Sequence, residues 1–210
     1  MFNSDSYYHI YNRGVEKRQT FLDQSDYQRF LLSMEEFNCL EPIGSLYNLK
    51  KKERAVRPLA SGRTANTANT LIEVICHCLN PNHYHLLLRQ SCDGGISEFI
   101  KRLSGGYTGY FNNKYSRSGA LFQGKYKRKE IKTEGGLIKL SVYINCNAEI
   151  HGLAKKEDWP WSSYKNYTNK ERSDRSKAVG PLASLEYKNL CEQLLPEIKQ
   201  IKNLNKYGLE

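Results

Sequence analysis

Two apolar, β-prone runs, residues 71–79 (LIEVICHCL) and 83–89 (HYHLLLR), flank Asn80-Pro81-Asn82, and this pattern leaves the segment little alternative to a β-hairpin. Side chains alternate across a strand. The second run therefore sends His83 and His85 to one face and Tyr84, Leu86 and Leu88 to the other, apolar face. Any fold for this chain must bury a sheet on the side of Tyr84 while finding a use for two imidazoles on the other.

The flanking segments supply the rest of a domain. Tyr7-Tyr8-His9-Ile10-Tyr11 is a short aromatic strand, and Asn12-Arg13-Gly14 is turn chemistry. From Ser25 or Asp26, an acidic cap leads into Tyr27, Phe30, Leu31, Met34 and Phe37, which share one helical face. Ile96, Phe99, Ile100, Leu103, Tyr107, Tyr110 and Phe111 define a second helix, with Gly105-Gly106 a place for a kink. Residues 121–131 read as a basic final strand. Thr133 caps a further helix through Leu137, Leu140, Ile144 and Ala148, stopped by Gly152. The order β-α-β-β-α-β-α predicts an α+β fold: a ferredoxin-like, RRM-like antiparallel sheet with helices on one face and a C-terminal helical tail.

One domain is expected over 1–165, followed by a linker and tail over 166–210 with a helix at about 184–203. Residues 41–70 carry Pro42, Gly44, Lys50-Lys51-Lys52-Glu53-Arg54 and a Thr/Ala/Asn tract, and read as a flexible basic insertion. Trp159-Pro160-Trp161-Ser162-Ser163-Tyr164 reads as an aromatic packing segment.

Composition narrows the function classes. Of 210 residues, 39% are hydrophobic and 26% charged, which excludes bulk disorder. No stretch approaches a membrane span, and the first residues lack a signal-peptide layout, so a cytoplasmic, nucleoid-associated protein without a membrane partner is expected. Lys and Arg number 32 against 22 acidic residues, a formal net charge of +10 that attracts polyanions. Fifteen tyrosines add flat surfaces for base stacking. The six cysteines are irregularly spaced and fit free thiols. Cys76, His77, Cys78 and Cys92 would be the donors of a structural zinc, but the usual knuckle spacing is missing.

Two constellations could carry chemistry. His83 and His85, side by side on a strand, can share one metal ion, although a bare His-x-His also fits two unrelated surface histidines. Tyr143 and Asn147 lie four apart on one helix face. An amide oxygen is a hard donor suited to Mg²⁺ or Mn²⁺, and a phenol becomes a nucleophile beside an activated electrophile. The same pair also fits a Tyr and an Asn packed at a helix boundary.

Five motifs in order resemble the HUH single-tyrosine transposases, in particular the REP-associated tyrosine transposases. They are Tyr8-His9-Ile10-Tyr11-Asn12-Arg13-Gly14, residues 81–88 (PNHYHLLL), residues 119–126 (GALFQGKY), Tyr143-Ile144 with Asn147, and Trp161-Ser162-Ser163-Tyr164. The resemblance implies that His83, His85 and Asn147 hold a divalent ion, Mg²⁺ or Mn²⁺, and that Tyr143 is the nucleophile. It implies cleavage and rejoining of single-stranded, hairpin-containing DNA through a 5′-phosphotyrosine, by a monomer rather than a homodimer. A domesticated module that binds DNA or RNA hairpins without cutting is the alternative. Two departures stand out: Asn145 occupies a position where this branch carries histidine, and Ala148-Glu149 replace Pro-Val. Arg13, Lys101, Arg102, Lys125, Lys127 and Arg128 are the candidate DNA-backbone contacts.

Overall fold

The computed structural model describes residues 6–44, 46, 70–168 and 186–206. Most of the expected insertion at 41–70 and of the linker after residue 166 falls outside them. Four strands form one antiparallel sheet: β1 (Tyr7–Arg13), β2 (Ile72–Asn80), β3 (His83–Gln90) and β4 (Lys127–Ile131). Their order is β2-β3-β1-β4, with β1 and β3 central, which is the strand order of the split βαβ layout. The hairpin pairs from Ile72 opposite Gln90 to Asn80 opposite His83, as its sequence requires.

One face of the sheet is covered by α1 (Gln24–Glu36) and α2 (Gly95–Lys114). Tyr8 and Ile10 of β1 and Tyr84, Leu86 and Leu88 of β3 bury against Tyr27, Phe30 and Met34 of α1 and Phe99, Leu103 and Tyr107 of α2. The α1 start lies slightly before the expected site: Asp23 caps the Asp26 amide, and the Asp26 carboxylate reaches back in a capping box. Lys114, in the last turn of α2, bridges Asp23 at 2.7 Å and the fully buried Asp26 at 2.8 Å, which ties the two helices together. α2 runs unbroken through Gly105-Gly106. The need at Gly106 is for closeness, because a Cβ there would meet the Phe37 ring at 2.5 Å.

Helices occupy both faces, not one. On the second face lie α3 (Glu134–Asn145), the single turn α4 (Asn147–Ile150), α5 (Tyr164–Thr168) and α6 (Tyr187–Lys206). Val142 and Ile144 of α3 bury with Cys76, Cys78 and Leu87 of the sheet and with Tyr187, Cys191 and Leu195 of α6. The reason is the third residue class on this face: besides histidines, the sheet presents Cys76, Cys78 and Leu87, all essentially inaccessible to solvent, and that apolar surface needs a cover. Asn145, one of the two departures, is part of this cover. Its amide donates to the Tyr187 hydroxyl at 2.9 Å and accepts from Ser163 at 2.7 Å, while Tyr187 donates to Ser141 at 3.1 Å.

The Trp159–Ser163 stretch closes the free edge of β2. The Leu79 amide donates to the Trp161 carbonyl at 2.9 Å, the Ser163 amide to His77 at 3.0 Å, and the Trp159 indole to Leu79 at 3.0 Å. Trp161 then stacks on Tyr27, with ring centroids 4.6 Å apart. The final strand is shorter than the 121–131 run: Phe122 makes a single bridge to Gly14, and Gly124, at φ 63°, turns the chain before β4 begins. Among the described residues, no helix is long and apolar enough to cross a membrane.

Candidate active site

The second face of the sheet collects polar groups near the hairpin turn. Tyr84, Leu86 and Leu88 take the α1/α2 core, so His83 and His85 point toward α3, as alternation predicts. On β2 the phase is changed by a bulge between Val74 and Cys76. Ile72 and Val74 pack in the first core, yet Cys76 and Cys78 lie in the second, and Asn80, paired with His83, follows them. β1 brings His9, Tyr11 and Arg13 alongside, with Tyr11 opposite His85 and Arg13 opposite His83.

A hydrogen-bond chain fixes the rings. His83 Nδ1 meets Asn82 Oδ1 at 2.6 Å, so that nitrogen carries the proton and Nε2 is an acceptor. That Nε2 lies 2.9 Å from the amide nitrogen of Asn80, which also donates to Asn147 Oδ1 at 2.5 Å. His85 Nδ1 lies 2.8 Å from His9 Nε2; with His85 as donor, its Nε2 keeps a lone pair. The His83 and His85 ring centroids are 5.1 Å apart. Burial lowers all three imidazoles: His83 to about 4, with His151 and Arg13 pushing the same way; His9 to about 4, aided by Lys129; and His85 well below its ordinary value. At neutral pH these rings are uncharged, the form in which imidazole ligates a metal.

The phenol and the second amide come from the helical side. The expected continuous helix breaks at Cys146, whose φ of −95° and ψ of 9° separate α3 from the turn α4. Tyr143 and Asn147 nonetheless reach one place. The Tyr143 ring centroid lies 5.5 Å from that of His85 and 6.2 Å from that of His9. Burial raises the Tyr143 hydroxyl pKa, opposed by the Asn147 amide and by Arg13. Asn147 is fully buried, and its Nδ2 has no hydrogen-bond partner. The opposite amide orientation would set its NH₂ against that of Asn80.

This donor set fits a divalent ion. Two neutral imidazoles offer Nε2 lone pairs, and Asn147 offers a hard oxygen aimed at the same point as His83 Nε2. Among the described residues, no three histidine, cysteine or acidic side chains gather for a metal. The zinc alternative is not assembled: Cys76 and Cys78 are buried in the second core, and Cys92 packs against the first.

Of the candidate DNA contacts, Arg13 is brought to the cluster, where its charge acts on His83, His85 and Tyr143. Lys127 pairs with Tyr11 and shares the histidine face; Arg128 pairs with Ile10 and takes the other. Lys125 is exposed just before β4. Lys101 and Arg102 belong to α2 on the opposite layer, and Arg102 is held by Glu98 at 2.8 Å and the Cys39 carbonyl at 2.6 Å. Sequence reasoning missed His9, His151 and Asn80. His9 could be placed only by knowing that β1 lies beside β3, and His151, whose ring is 4.9 Å from that of His83, only by the helix break.

A split βαβ sheet carrying paired neutral imidazoles, a buried amide and a phenol on one face has the parts for metal-assisted phosphoryl transfer. Residues 60–147 match the family model described as "Transposase IS200 like", a stretch that includes His83, His85, Tyr143 and Asn147. The likeness to single-tyrosine transposases carried by the motifs is thus met independently over that stretch. No curated protein matches the chain. Among solved structures, it is similar to one titled "Structure of the REP associates tyrosine transposase bound to a REP hairpin", at 15% identity and a TM-score of 0.48, covering 87% of this chain and 86% of the other.

Proposed function

We propose that this protein is a REP-associated type of HUH single-tyrosine transposase: a divalent-metal-dependent endonuclease and strand transferase for single-stranded, hairpin-containing DNA. The observation that carries this reading is the approach of Tyr143 to His85, 5.5 Å between ring centroids, from a helix about sixty residues along the chain. A monomer acting in cis in the cytoplasm is part of the proposal.

His83, His85 and Asn147 would hold Mg²⁺ or Mn²⁺. When bound, the ion supplies charge stabilisation to the non-bridging oxygens of the scissile phosphate. His9 and Asn82 orient His85 and His83 by occupying their Nδ1 atoms, which leaves the Nε2 atoms for the ion. Arg13 and Lys127 line the approach for the backbone. Tyr143 Oη attacks phosphorus; the P–O3′ bond breaks, the phenol proton is lost, and the departing 3′ oxygen takes one up. The product is a 5′-phosphotyrosine and a free 3′-OH, and attack by another 3′-OH reverses the exchange without ATP. Burial keeps the phenol protonated at rest, so Tyr143 does not enter the reaction as a preformed phenolate.

Hairpin-containing single strands incubated with the protein and Mn²⁺ give a covalent adduct stable to denaturation in the wild type and none in Tyr143→Phe, which keeps DNA binding. Adduct formation by Tyr143→Phe would falsify the nucleophile assignment. Hairpin binding by the wild type with no cleavage in Mg²⁺ or Mn²⁺ would leave a binding module in its place.

A further inference from the structure

Asn80 is not one of the three donors proposed for the cation, yet it sits at the point where two of them converge. It is fully buried at the end of β2, and its single Nδ2 group donates to both His83 Nε2 at 2.9 Å and Asn147 Oδ1 at 2.5 Å. An NH₂ group there supplies partial positive charge to two lone pairs, the task a cation would perform. Its own Oδ1 is met by the Cys78 thiol at 3.6 Å, a weak donor.

We infer that Asn80 is a fourth donor of the site: it turns its carboxamide oxygen to the ion at the point where its side chain meets His83 Nε2 and Asn147 Oδ1. The inference rests on reading His83, His85 and Asn147 as cation ligands. With an ion bound, amide protons directed at it are repelled, so Asn80 cannot keep its present orientation. A half-turn about its last side-chain torsion, which is broad and roughly two-fold, exchanges Nδ2 for Oδ1 without moving the strand. The two hydrogen bonds given up are those that the ion itself replaces at His83 and Asn147, and the thiol contact is the remaining loss. Asn147 aims its oxygen, not its NH₂, at this same point.

The resulting set of two imidazole nitrogens and two amide oxygens suits Mn²⁺ and leaves positions for phosphate oxygens in an octahedral shell. It carries no charge, so the scissile phosphate would not meet a carboxylate.

Direct Mn²⁺ titration of the full chain, followed by the electron paramagnetic signal of free Mn²⁺, tests this without DNA or turnover. The wild type is expected to bind one ion and His83→Ala none. Asn80→Ala weakens binding by about tenfold or more, the size of effect seen when metal-site partners are removed, whereas Asn80→Asp, with an oxygen at either end, tightens it. Should Asn80→Ala not fold, Asn80→Asp decides alone, and binding no tighter than wild type overturns the inference. Asn80→Ala binding as tightly as wild type, with His83→Ala still inactive in binding, also overturns it and leaves the cation site intact. A wild type that binds no Mn²⁺ removes both.

Discussion

A histidine forced to stay neutral inside a protein makes folding depend on pH, and four of them, His9, His83, His85 and His151, meet in this cluster. His9 and His83 fall to about 4 from an ordinary 6.5, through burial first, with Lys129 adding to it at His9 and His151 and Arg13 at His83, and burial holds His85 well below its ordinary value. The unfolded chain therefore binds more protons than the folded one between these values. Stability from this source is fully present above pH 6.5 and is lost as pH drops toward 4. A tenfold loss of proton affinity on folding corresponds to about 1.4 kcal/mol, so even one such ring represents about 3 kcal/mol at neutral pH. Urea unfolding between pH 4 and 7.5 is expected to show a midpoint that rises with pH and levels off above 6.5. Replacing His83 by Asn should flatten part of that slope. A midpoint independent of pH across this window would show that the rings charge freely and are not buried as described.

The alternation of residues 83–88 was enough to assign both faces of β3, because each residue there is either a large apolar group or a histidine. β2 resisted the same treatment. Its bulge at Ile75 reverses the phase halfway along, and Asn80 reaches the histidine face only because of it. His9 lies in a run whose alternation is plain, but its contact with His85 depends on strand order, which is a long-range outcome. The helix bearing Tyr143 was legible as a helix, while its position was not: the pattern of β3 shows Leu87 on the histidine face and gives no hint that Cys76 and Cys78 join it to form a second apolar surface. The departure at Asn145 acquires its meaning at this level. It does not face the imidazoles; it joins α3 to α6 through Tyr187 and to the β2 edge segment through Ser163. Asn145→Ala removes one hydrogen bond from each of two buried hydroxyls, which keep their bonds to Ser141 and to the His77 backbone, and should cost on the order of 2 kcal/mol. Hydrogen exchange should quicken throughout α6, while Mn²⁺ affinity changes little. An unchanged unfolding midpoint together with unchanged exchange in α6 would mean that the helix is held by its apolar side chains alone.

At the scale of the whole molecule, the sheet divides two tasks between its faces. The α1/α2 layer is closed by aromatic packing and by the Lys114 ion pairs, so two of its basic residues are engaged in holding the fold: Arg102 on Glu98 and backbone carbonyls, Lys114 on two carboxylates. The histidine face has Arg13, Lys127 and Lys129 around its polar cluster, and β4, which carries the two lysines, is an outer strand with exposed side chains. Among the described residues, these basic side chains lie beside the polar cluster, and on the proposed reading they are the ones that would meet a DNA backbone. Each phosphate neutralised on a single strand contributes about 0.7 to the slope of log affinity against log salt. Lys127→Ala combined with Lys129→Ala should lower that slope by roughly 1.4 and weaken hairpin binding at every sequence. Lys101→Ala removes one charge from the opposite layer, where it is exposed and paired only loosely with Glu98 at 3.4 Å, and should leave the slope where it was. If Lys101→Ala reduces the slope as much per charge as the β4 pair does, the strand passes over the α2 layer, and the histidine cluster is not where DNA is held.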